Sequence, residues 1–309
     1  MSKLPCFVLI YYDFATIKAS LDFLLNHKDC LDLIVIENPS EYTETSIKSY
    51  LQDLVASRAI TGYYLFDHNI SNNAFEVVLD TNRIDTDSAA YVLVTDGDLV
   101  VDNDDWLTEE IAILENNPDV GVCTVRLNLD NLPFHVFPDA HEWLSPIVEH
   151  DDYGEVVDHT GVYLVLMRSN EFVQFLEYRM QRRLRFKDSV LKEFCTEVLG
   201  KKWAVTKRSQ ARHLTWDTYH DVDNPYTKIK QMQPLEKLWQ HHRYSGFTLF
   251  QLDSKTRHVP MSKIIAGHVM AMQENVAIIK RRTVKTLAQA LPTNIKSKIP
   301  PRVKQWIVH

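Results

Sequence analysis

A chain of 309 residues with 45% hydrophobic and 24% charged residues has the make-up of an ordinary globular protein, which excludes a disordered, fibrous or low-complexity chain. Its net charge is −7 and its eight glycines stand far apart, so the closely spaced glycines of a P-loop or a dinucleotide-binding fingerprint are missing. The four cysteines, Cys6, Cys30, Cys123 and Cys195, form no C-x-x-C pair, which argues against a zinc knuckle or disulfide scaffold and for a reduced, cytoplasmic protein.

The opening apolar run from Leu4 to Tyr12 is too short to cross a bilayer and is broken at Asp13, so it reads as a buried strand centred on Phe7–Tyr11. Ile17, Leu21, Leu24 and Leu25 recur at helical spacing in 16–26. A strand over Leu33–Ile36 ends at Glu37-Asn38-Pro39-Ser40, a helix follows over 43–57, and Tyr63–Phe66 is the third strand. After a helix over 72–79, the strand Tyr91–Thr95 runs directly into Asp96-Gly97-Asp98. This alternation predicts β-α-β units on a mainly parallel sheet, with a ligand at the carboxyl ends of the strands. Beyond residue 120 the pattern changes to strands at Val120–Leu127 and Gly161–Met167, helices at about 170–184 and 189–199, and a strand at Trp203–Thr206. The expected division is 1–120, 121–253 and a basic helical extension over 254–309.

Charge is distributed unevenly along the chain. Residues 255–309 hold eleven Lys/Arg and one acid, a net of +10, which leaves −17 on the remainder. Acid is densest from Glu76 to Asp119, where thirteen carboxylates face the single Arg83. Such a cluster attracts a cation or forms a solvated surface.

Asp96-Gly97-Asp98 carries the most chemical information. In an extended segment residues i and i+2 point to one side, so both carboxylates can face one divalent ion, while Gly97 would let a ligand approach closely. Hard carboxylate oxygens suit Mg²⁺ or Mn²⁺ bridging a diphosphate.

Over roughly residues 5–220 the sequence resembles the GT-A glycosyltransferases of the family 2 type, as found in bacterial polysaccharide and lipopolysaccharide biosynthesis. The resemblance is carried by Leu9-Ile10-Tyr11-Tyr12-Asp13, by Val35-Ile36-Glu37-Asn38-Pro39-Ser40 with Glu for the usual Asp, by Asn69-Ile70-Ser71-Asn72-Asn73-Ala74 with Ser71 for the usual Gly, and by the D-x-D. It implies a GT-A fold, a Rossmann-like mixed β-sheet flanked by helices, with 1–120 as the nucleotide-sugar half and 121–253 as the acceptor half. It further implies a nucleoside, uridine by expectation, surrounded by Tyr11, Asp13, Glu37, Asn38, Asn69, Asn73, Asp96 and Gly97. Asp96, Asp98 and the late His213, within Arg212-His213-Leu214-Thr215-Trp216, become the expected ligands of Mn²⁺ or Mg²⁺. Trp216 is either core packing or a stacking surface near the ligand.

An inverting transfer needs a carboxylate to take the acceptor hydroxyl's proton. Asp188, in Phe186-Lys187-Asp188 before a helix, echoes the family's E-D pair with Lys187 in place of Glu, and Asp158 is the second candidate. Either could be structural, Asp188 as a helix cap. The expected activity is metal-dependent transfer of a sugar from a UDP-type donor to a glycan or lipid-linked glycan acceptor.

Two other readings remain. Val92–Val100 also fits the opening motif of haloacid-dehalogenase phosphatases, with Asp96 as nucleophile and Asp98 as acid/base, although no later Gly-Asp pair follows. A non-catalytic GT-A-like domain binding a nucleotide or glycan would keep the fold without the base. Residues 255–309 either pack on the acidic body or lie on an anionic membrane at its inner face as a peripheral contact. An acidic body makes nucleic acid an unexpected partner.

Overall fold

The computed structural model describes residues 3–81, 84, 88–138, 140, 146–157, 161–232, 246–252 and 256–260. Asp158 and the basic segment from 261 onward therefore lie outside the described residues.

The first strand, β1 (Leu4–Tyr11), is buried along nearly its whole length. It is a continuous apolar run because it lies between two parallel neighbours with helices over the sheet, so both faces need apolar side chains. Those neighbours are β2 (Leu31–Asn38) and β4 (Tyr91–Asp96), and β2 in turn pairs in parallel with β3 (Gly62–Phe66). Helix α1 (Phe14–Leu25) crosses from β1 to β2, burying Ile17, Leu21 and Leu24 as the periodicity requires. A π-helical turn at Thr43–Ile47 and α2 (Lys48–Ala56) connect β2 to β3, and α3 (Asn73–Thr81) follows β3. The chain thus builds outward as β1-β2-β3 and then returns to the other side of β1 with β4. That reversal opens a crevice at the carboxyl ends of β1 and β4.

The parallel region stops there. A short β5 (Leu99–Val101) precedes α4 (Trp106–Asn116) and β6 (Val120–Leu127). Strands β7 (Ile147–Glu149) and β8 (Gly154–Val156) form a hairpin, and β9 (Val165–Arg168) runs antiparallel between β4 and β6. After α5 (Ser169–Arg182) and α6 (Asp188–Glu193), β10 (Lys202–His213) pairs in parallel with β6. Helices α7 (Leu214–Tyr219) and α8 (Pro225–Met232) follow. At the opposite edge, β11 (Phe247–Gln251) and β12 (Arg257–Val259) extend the sheet antiparallel from β3. The sheet is therefore mixed, with the expected parallel pairing confined largely to β3-β2-β1-β4. No helix among the described residues is long and apolar enough to cross a membrane.

Several elements differ from expectation for identifiable reasons. The Gly161–Met167 strand begins only at Val165, because Leu164 takes a left-handed φ of 44° that breaks the extended run. Helix α4 escapes the periodicity because Glu109 and Glu110 lie among its buried residues. Strand β10 is three times the length read from Trp203–Thr206, because a bulge interrupts its apolar pattern. Val205 pairs with Thr124 and the next partners are Gln210 and Arg126, so 206–209 loop out. The Glu109 carboxylate holds that bulge, accepting backbone N–H bonds from Lys207, Arg208 and Ser209 at 2.9–3.1 Å. Beyond the bulge β10 turns onto β5, pairing Ala211–His213 with Val101–Leu99. That register sets His213 beside the D-x-D.

Candidate active site

The crevice between β1 and β4 opens into a cavity of about 220 Å³. Tyr11, Asn38, Asn69, Ser71, Asp96, Gly97, Asp98 and His213 line it, together with an aromatic wall of Phe137, Trp216, Tyr219 and Tyr226. Most of the residues expected around a nucleotide and a metal therefore do converge.

Asp98 is the most tightly engaged. Its Oδ2 accepts a 2.5 Å bond from the Thr215 hydroxyl and lies 3.4 Å from His213 Nδ1. The same hydroxyl is 2.8 Å from His213 Nδ1, and the His213 ring stacks on Trp216 at 4.9 Å with the planes parallel to within 1°. A backbone bond of 2.7 Å from Leu214 N to the Asp98 carbonyl locks the start of α7 to the D-x-D. The other carboxylate oxygen, Asp98 Oδ1, is buried with no hydrogen-bond partner. Burying a carboxylate oxygen unpaired is costly, and such an atom in a polar cleft is a natural cation contact. Among the described residues, no group of three His, Cys, Asp or Glu side chains is gathered as a metal centre. The donor set of Asp96, Asp98 and His213 lining one cavity nevertheless fits a hard or borderline divalent ion.

Gly97 serves a different purpose from the one expected. A Cβ there would fall on Ile10 Cγ2 and lie 3.1 Å from the Leu9 carbonyl oxygen, so β1 beneath it, rather than a ligand above, forbids a side chain. Its N–H donates to that same Leu9 oxygen at 2.7 Å.

Asn38 organises the opposite wall. Its Oδ1 accepts from Ile70 N at 2.9 Å and its Nδ2 donates to the Ser71 carbonyl at 3.2 Å, tying the end of β2 to the 69–73 loop. Ser71 sits there with φ 54°, the left-handed conformation that a glycine takes without strain. Asn69 lines the cavity and hydrogen-bonds Tyr11, whose hydroxyl pKa is raised chiefly by burial. Tyr12 also adopts a left-handed φ, 77°, and stacks on Tyr226 at 4.9 Å. Tyr219 stacks on Tyr226 with ring centroids 5.6 Å apart, and its pKa is raised first by burial and then by the negative field of Asp98 and Asp96.

Other expected site residues are placed elsewhere. Glu37 is fully buried, and its carboxylate receives the Thr43 hydroxyl at 2.5 Å and the Tyr63 hydroxyl on its other oxygen. Burial pushes its pKa up to about 7. It is a core acid between β2 and β3, not a cavity residue. Asp13 caps α1, accepting from Thr16 N at 2.8 Å. Asn73 stands behind the loop, where its Oδ1 accepts from Arg185 at 2.9 Å. Asp188 begins α6 and opens onto a separate concavity with Val157, Lys192 and Glu197. Sequence reasoning passed over Thr215, Tyr219 and Tyr226. A hydroxyl two residues after the singled-out His213, at a strand-to-helix junction, was the available signal for the first; nothing marked the tyrosines.

No family model matches the sequence. Three uncharacterized proteins of Acanthamoeba polyphaga mimivirus are similar to it. One is 39% identical over 81% of this chain and 51% of its own length, the second 36% over 83% and 35%, and the third 35% over 81% and 28%. The chain spans about half, or less, of the curated relatives it matches. Among solved structures, that of GalNAc-T7 with UDP, GalNAc and Mn²⁺ superposes with a TM-score of 0.45 at 10% identity, covering 78% of this chain and 55% of that one.

Proposed function

We propose that this chain is a divalent-ion-dependent glycosyltransferase of the GT-A type, which moves a sugar from a nucleotide donor, UDP-linked by expectation, to a glycan or lipid-linked glycan acceptor. The observation that carries the reading is the buried, unpartnered Asp98 Oδ1 at the β1/β4 crevice, with Asp96 and His213 lining the same cavity. An anionic diphosphate would be repelled by two carboxylates alone, in a body that carries −17. Asp96, Asp98 and His213 would hold Mn²⁺ or Mg²⁺, which when bound offsets the charge that develops on the departing diphosphate.

The remaining roles fall to the chain's own groups. Tyr11 and Asn69 flank the nucleoside, and with Glu37 committed to the core, base recognition belongs to them and to the loop held by Asn38. Trp216 orients His213 by stacking. In an inverting transfer the base is Asp188 or Asp158, of which Asp188 opens onto a concavity apart from the β1/β4 crevice. The basic segment 255–309 supports peripheral contact with an anionic membrane, at about 1 kcal/mol for each basic residue near the surface.

The reading is tested by screening UDP-, GDP-, CMP- and dTDP-sugars for stabilisation of the full chain against heat, with and without Mn²⁺. One nucleotide class should raise the melting temperature only when the ion is present. Stabilisation that survives EDTA, or none by any nucleotide, contradicts it.

A further inference from the structure

The Thr215 hydroxyl touches both Asp98 and His213, and its single proton decides what the histidine can do. A hydroxyl donates once and accepts twice. The Asp98 carboxylate only accepts, so the 2.5 Å contact uses the Thr215 proton. The 2.8 Å contact with His213 Nδ1 must then run the other way, with Nδ1–H donating to Thr215 Oγ1.

We infer that Thr215 is a positioning residue: it holds the proton of His213 on Nδ1, so that the neutral ring carries its lone pair on Nε2 and presents that atom as the ligand for a divalent ion. This rests on the proposed metal reading of the cavity. Trp216 fixes the plane of the ring, and Thr215 fixes its rotation within that plane. A histidine that binds a metal through one nitrogen characteristically has the other held by an outer partner, and loss of that partner typically weakens metal binding by about 10–100-fold. Thr215 is that partner, and Asp98 anchors it.

The test is long-range ¹H–¹⁵N correlation NMR of the histidine rings in the metal-free full chain, with His213 assigned by the signals lost in His213→Gln, together with Mn²⁺ titration. The wild type should show the proton on Nδ1. Thr215→Val, which keeps the shape and removes the hydroxyl, should give mixed tautomers and bind Mn²⁺ at least about tenfold more weakly. Thr215→Ser should restore both. A wild-type ring protonated on Nε2, or a Thr215→Val protein with unchanged tautomer and affinity, overturns the inference. Failure of the two ideas can be told apart. An Nδ1–H ring in a protein that binds no Mn²⁺ removes the metal reading and leaves the tether, whereas Mn²⁺ binding by an Nε2–H ring removes the tether and leaves the metal reading.

Discussion

Among the described residues, two regions bury a carboxyl group with an unpartnered oxygen, and only one of them resembles a site. At the β1/β4 crevice, Asp98 leaves one oxygen unpaired while Thr215 and His213 crowd the other. Beneath α4, Glu110 is completely buried with neither oxygen paired, and the groups that feel its charge are Glu109 and the thiols of Cys6 and Cys123. Burial is the larger cause and Glu109 the smaller in raising the Glu110 pKa well above its ordinary value, which favours the neutral acid. An unpaired buried carboxyl therefore indicates a ligand only where other polar groups converge on it in an open cavity. Where its surroundings are apolar, it takes up a proton instead.

The largest expected effect bears on the first region. Asp98→Asn removes the carboxylate charge with little change in shape. It should abolish ion-dependent nucleotide stabilisation and weaken Mn²⁺ binding in titration calorimetry by about 100-fold, while circular dichroism finds the fold intact. Undiminished Mn²⁺ binding would make Asp98 no different from Glu110.

Glu37 sharpens the contrast from the other side, because both of its oxygens are capped by hydroxyls. Glu37→Ala leaves two buried hydroxyls without their acceptor and should cost about 2–4 kcal/mol in chemical denaturation, with Mn²⁺ affinity unchanged. A selective loss of nucleotide binding in a fully stable variant would return Glu37 to the nucleoside.

The Glu110 region should show itself in pH dependence. With its folded pKa raised, the folded state holds a proton that the unfolded state releases above about pH 4.5. Glu110 therefore contributes stability that declines as pH rises from there, by at most about 1.4 kcal/mol per pH unit. Replacing it in Glu110→Gln should remove that part of the slope, measured as the difference between the two proteins' denaturation midpoints across pH. Parallel profiles would mean that Glu110 keeps its charge.

The smallest effect concerns Asp13. Loss of its bond to Thr16 N in Asp13→Ala should cost about 1 kcal/mol of stability and leave ligand binding untouched.

How much of this was legible in the sequence follows the same division. The parallel core was readable because strands buried on both faces are uninterrupted apolar runs, as in Phe7–Tyr11, and because α1 keeps a strict helical period. D-x-D at the end of a strand and a late histidine pointed to the same cavity that Asp98 and His213 now share. The failures have one physical source, since sequence spacing does not report which polar groups long-range pairing will bring together. Glu37 looked like a ligand because it ends a strand, but Thr43 and Tyr63 claim it. Asp188 looked like a base because Phe186-Lys187-Asp188 echoes an E-D pair before a helix, but that helix opens onto another concavity. Helix α4 and the second half of β10 were hidden by one contact, the Glu109 carboxylate inside a strand bulge. Thr215 needed the β5–β10 register before its hydroxyl could be seen between Asp98 and His213.

The most direct test of the central claim is the position of manganese in crystals of the full chain grown with Mn²⁺ and UDP, read from anomalous scattering. The expected result is a peak bonded to Asp98 and His213 Nε2, with the diphosphate against it and Tyr11 beside the nucleoside. A manganese peak elsewhere on the acidic surface, or nucleotide bound in the crevice with no metal between it and Asp98, would contradict the claim.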